Sequence, residues 1–85
     1  MTDHERKTEA QQRLALSGIQ PGQRFRHYKG GFYCVVCLSI KEDDLTPLVT
    51  YQSETYGTLS TRTLDNWRDM VEMDGKSVQR FTETA

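Results

Sequence analysis

Cysteine is scarce in this chain, and so are long apolar runs and any excess of charge of one sign. Two cysteines in 85 residues, Cys34 and Cys37, are too few for a disulfide framework and fit a reducing compartment. The longest apolar run lies around Val35 to Leu38 and is far short of the roughly 20 residues that cross a bilayer. No basic segment followed by an apolar one opens the sequence, so a cytoplasmic setting without membrane attachment is expected. Eleven Lys and Arg against 12 Asp and Glu leave a net charge of -1, which excludes a globally basic nucleic-acid binder but not a local basic patch. A chain of 85 residues has no room for two lobes with a cleft between them.

What is present argues for one small folded body. Apolar residues make up 35% of the chain, with three Phe, four Tyr and one Trp, enough to seed a core. Residues 2–17 differ from the rest, being rich in Glu, Lys, Arg, Gln and Ala. Thr2 with Glu5 fits a capping box and Ser17-Gly18 a helix end, so a polar helical extension is expected over 1–17, ahead of a folded domain over 18–85. Such a helix needs Leu14, Leu16 and Ile19 to dock, on the domain or on a second copy of the chain.

After the Pro21-Gly22 turn the pattern becomes strand-like. Arg24 to Lys29 predicts a strand, Gly30-Gly31 a tight hairpin turn, and Phe32 to Ile40 the strongest strand. Alternation there places Phe32, Cys34, Val36, Leu38 and Ile40 on a core face. Leu48 to Ser53 and Leu59 to Arg62 predict two more strands, Leu64 to Met70 a helical turn carrying Trp67 as a core plug, and Asp74-Gly75 a closing hairpin. About five or six short antiparallel strands in so little chain predict a mainly β fold, a small SH3-like barrel with an N-terminal α-helical extension.

Few residues suggest chemistry. Cys34 and Cys37 form a C-x-x-C spacing, but in a strand they should point to opposite faces, and no second pair or clustered His completes a tetrahedral set. No metal, cofactor or catalytic residue is expected, and packing cysteines are. Asp65, Asp69, Glu72 and Asp74 fit a solvated acidic surface. The segment 18–40 is different: it holds Arg24, Arg26, His27 and Lys29 and no acid. Basic groups beside aromatics and a Gly-Gly turn can hold a phosphate or a base. The plainer alternative is a solvated strand whose arginines pair with Asp65, Asp69 or Glu72.

The series Arg26-His27-Tyr28-Lys29-Gly30-Gly31-Phe32-Tyr33, Leu48-Val49-Thr50-Tyr51, Tyr56-Gly57 with Arg62, and Asp74-Gly75-Lys76-Ser77-Val78 with Arg80-Phe81 resembles the bacterial and phage domain-of-unknown-function family numbered 1653. The resemblance spans about Ile19 to Phe81. It implies an SH3-type barrel and no established reaction, and it singles out Arg26, His27, Tyr28, Lys29, Tyr51 and Arg62 as matching polar positions free for a site. It also implies a Trp two residues before Arg62 and a Pro after it, where this chain has Ser60 and Thr63. The expected function is a non-catalytic module that binds an anionic, ring-containing small molecule, nucleotide or nucleotide-derived, through those six residues, sequestering it or completing its site in a homo-oligomer built with the N-terminal helix. Protein or nucleic-acid recognition by an SH3-like domain is the alternative, and a small enzyme ranks third.

Overall fold

The computed structural model describes residues 2–84. The order is α1 (Asp3–Leu16), β1 (Arg24–His27), β2 (Phe32–Ile40), β3 (Pro47–Ser53), β4 (Leu59–Thr63), α2 (Leu64–Arg68), β5 (Met70–Met73), β6 (Lys76–Gln79) and β7 (Phe81–Thr84). The fold is mainly β with an N-terminal helix, as expected, although seven strands replace five or six. Strands β4-β3-β2-β1-β7 form one antiparallel sheet, and β5-β6 pair only with each other. The ladders therefore do not close into a barrel. Helix α2 leaves directly from β4 and seats Leu64 and Trp67, both buried, in the core on the concave face of the sheet.

Local chemistry sets the ends of the elements. Thr2 caps α1, its Oγ1 accepting the Glu5 N–H at 3.1 Å, and Gly18 leaves the helix at φ 77°. Ala10 and Leu14 bury the apolar stripe of α1 on this chain's own core, with Ile19, whereas Leu16 is 85% exposed. Arg13 pairs with Asp65 of α2, and Arg6 donates to the Asp44 carbonyl. Gly30 and Gly31 both take positive φ in the β1–β2 turn, and Asp74-Gly75 does the same between β5 and β6.

The core corrects the expected strand face. Phe32, Cys34 and Val36 are not the buried residues of β2. Val35 is, and Tyr33, Leu38 and Ile40 pack against the core with it. The cause is a bulge: Val35 pairs with Tyr51 and Cys37 with Thr50, so Val36 is an extra residue. Alternation runs through Tyr33 and Val35, slips by one, and resumes at Leu38. The same slip changes the cysteine geometry. Cys34 pairs with Gln52 and Cys37 with Thr50, both on the outer face, so the thiols share a face instead of opposing one another. Among the described residues no three His, Cys, Asp or Glu side chains converge in a metal-holding group. Leu59, the first residue of β4, is 60% exposed on the edge strand. No helix among the described residues is long and apolar enough to cross a membrane.

Candidate functional site

The concave face of the sheet carries a continuous run of rings. Trp67 of α2 stacks on Phe81 of β7, with centroids 3.8 Å apart and planes within 7°. Phe25 meets Trp67 edge-on at 5.2 Å, Tyr51 meets both Trp67 and Phe81, and Tyr33 meets Tyr51 at 5.5 Å. His27 is the Cα partner of Phe81 across the β1–β7 ladder, and its ring stands 5.0 Å from the Phe81 centroid. The run thus leads from the buried Trp67 to the half-buried His27.

Two arginines border these rings. Arg62 of β4 shares the concave face with Tyr51, and its Cζ lies over the Phe81 ring, 5.4 Å from the centroid. Its Nε donates to the Tyr51 hydroxyl at 2.8 Å and its Nη1 to the Asn66 Oδ1 at 2.6 Å. Arg80, between β6 and β7, donates from Nε to the Asn66 carbonyl at 3.0 Å. One residue therefore aims both guanidinium groups. Asn66 is itself held by the α2 cap, since its N–H donates to Thr63 Oγ1 at 3.0 Å. All these acceptors are neutral. Among the described residues no carboxylate lies within ion-pair distance of Arg62, Arg80 or Lys29.

His27 reports the resulting field. Its Nδ1 accepts the Lys29 N–H at 3.2 Å, so in the neutral ring the proton sits on Nε2, which remains a donor. Burial is the main cause holding its pKa below the ordinary histidine value, and Arg62, Arg80 and Lys29 add to it by repulsion.

Of the six expected residues, His27, Tyr51 and Arg62 come together around Phe81, with Lys29 close enough to act on His27. Tyr28 packs beside His27 at 4.7 Å, with Lys29 Nζ 5.7 Å from its ring. Arg26 is not brought to the cluster. It sits opposite Phe32 and Thr82 on the outer face, where with Tyr28, Met73 and Val78 it lines a separate concavity of 380 Å³ that His27 also borders. The alternative pairing of the hairpin arginines with Asp65, Asp69 or Glu72 is not found among the described residues: Arg24 pairs with Glu54. Sequence reasoning missed Tyr33, Asn66 and Arg80 as members of the cluster. Ser60, where the resemblance implied a Trp, lies opposite Tyr51 on the concave face and is exposed, so β4 sets a small polar residue rather than a ring beside Tyr51.

A search of curated proteins finds no match. A solved structure described as the crystal structure of a protein belonging to DUF1653 from Bordetella bronchiseptica is similar to this chain, with 29% identity, a TM-score of 0.65, and coverage of 75% of this chain and 85% of that one. The family model described as protein of unknown function (DUF1653) matches residues 23–83, the whole of the sheet but its last residue and both of the site's arginines, and so the chain belongs to the DUF1653 family.

Proposed function

We propose that this domain is a binding module for an anionic, ring-containing small molecule, nucleotide or nucleotide-derived, and that the anion is taken at Arg62 and Arg80. The observation that carries the reading is their shared attachment to Asn66: two half-buried arginines, Arg62 bonded to its side-chain oxygen and Arg80 to its backbone carbonyl, both on neutral acceptors. Holding like charges together without a counter-ion is unfavourable, and the cost is relieved when an anion arrives. Arginine is suited to this because its planar fork matches phosphate and carboxylate oxygens and its face rests on aromatic rings. The half-buried rings of Tyr33 and His27, near Phe81, and the exposed Ser60 opposite Tyr51 are the surface available to a ligand ring next to the charge.

Calorimetry with a panel of nucleotides tests this. Binding by the wild type and its loss in an Arg62→Ala, Arg80→Ala double variant is the expected result. Equal binding by the double variant, with the loss appearing instead in Arg26→Ala, would move the site to the outer face. A second reading, protein recognition by strand addition, draws on the free outer edges of β4 and β7.

A further inference from the structure

The donor inventory of the cluster says more about the anion. Arginine has five N–H donors. Arg62 gives two of its five to Tyr51 and Asn66, which leaves three. Arg80 gives one of its five to the Asn66 carbonyl, which leaves four. His27 adds its Nε2–H, because Nδ1 is already occupied as an acceptor. These groups all donate, so they favour a ligand surface made of acceptors only.

The charge count points the same way. Arg62 and Arg80 supply two positive charges held on one asparagine, with no carboxylate in ion-pair contact among the described residues. A single negative charge compensates one of the two, and a dianion compensates both. We infer that the site selects a terminal phosphate dianion, a phosphomonoester, over a phosphodiester that carries one charge. The geometry fits, because a terminal phosphate presents three acceptor oxygens in a compact group, whereas a diester turns two of its four oxygens into bridging atoms with weaker acceptor character and bulk on both sides.

This inference rests on the anion reading above and sharpens it, and the test keeps the two apart. Adenosine 5′-monophosphate and 3′,5′-cyclic adenosine monophosphate share base and sugar and differ in the phosphate. With the full chain at pH 7.5 (a probe condition), the open monophosphate should bind about tenfold more tightly or better. Asn66→Asp should shrink that ratio, since its carboxylate would neutralise Arg62 while keeping its position. Equal affinities for the two nucleotides, or a preference for the cyclic form, overturn the inference and leave the anion reading standing. Failure of both nucleotides and of inorganic phosphate to bind overturns the two together.

Discussion

Two arginines lie over two phenylalanines in this domain, on opposite faces of one sheet, and their charges are handled differently. On the outer face Arg24 covers Phe32 at 3.9 Å and is met by both oxygens of Glu54, at 2.7 and 3.1 Å. Each partner holds the other in its charged form: Arg24 is raised and Glu54 lowered from their ordinary values, first through their hydrogen bond. On the concave face Arg62 covers Phe81 and is met only by a phenol and an amide. Two arginine–phenylalanine contacts, at 3.9 and 5.4 Å, therefore serve different ends. Arg24 sits in a satisfied, solvated pair with Glu54 and covers a half-buried ring. Arg62 is positioned and left uncompensated, and a second guanidinium, that of Arg80, is bonded to the backbone carbonyl of the same asparagine. A basic residue points to a site when its placement is specified and its charge is not answered.

The largest effect should come from taking away the support beneath the concave arginine. Trp67→Ala removes the ring stacked on Phe81 and leaves a cavity among Phe25, Tyr51 and Phe81, which should cost about 3–5 kcal/mol in denaturant unfolding. For a domain of this size that is enough to unfold much of the population. Next, Asn66→Asp makes the concave arginine resemble the outer one. The new carboxylate sits where Oδ1 meets Arg62, so thermal stability should rise slightly while nucleotide affinity falls about tenfold or more in calorimetry. A rise in affinity would break the comparison.

His27 gives a smaller effect with a defined sign. It binds its proton more weakly in the folded chain than in the unfolded one. The unfolded chain then holds more protons between the two pKa values. The stability gained from the neutral ring is fully present above the unfolded value near 6.5, and it is lost as pH falls through the lowered folded value. An NMR titration should place the His27 midpoint below 6.5, and bound anion should move it upward. His27→Gln should flatten the loss of stability on the acid side of neutrality. The smallest effect belongs to Arg24→Ala, which exposes Phe32 and frees Glu54 at the surface. It should leave nucleotide affinity unchanged and move the melting temperature little.

Local signals were legible because they act within a few residues. The Thr2 cap, the Gly30-Gly31 and Asp74-Gly75 turns, and Trp67 as a plug all follow from short-range chemistry. The face of β2 was not legible, because one bulge at Val36 cancels a perfect alternation from Phe32 to Ile40 and nothing local announces it. The site was half legible for a related reason. The acid-free hairpin drew notice to Arg24, Arg26 and Lys29 together, yet alternation sends Arg24 and Arg26 to the outer face with Glu54 and Thr82. His27 and Lys29 stay with the cluster. Arg80 is 18 residues from Arg62 and is joined to it only through Asn66, a residue with no charge to attract attention in a sequence.

The most direct measurement follows the arginine Nε–H resonances of the labelled chain by NMR while adenosine 5′-monophosphate is added. Arg62 and Arg80 should shift together along one saturating curve, with Arg24 unmoved in its pair with Glu54. Shifts at Arg24 or Arg26 with Arg62 and Arg80 unchanged would contradict the account.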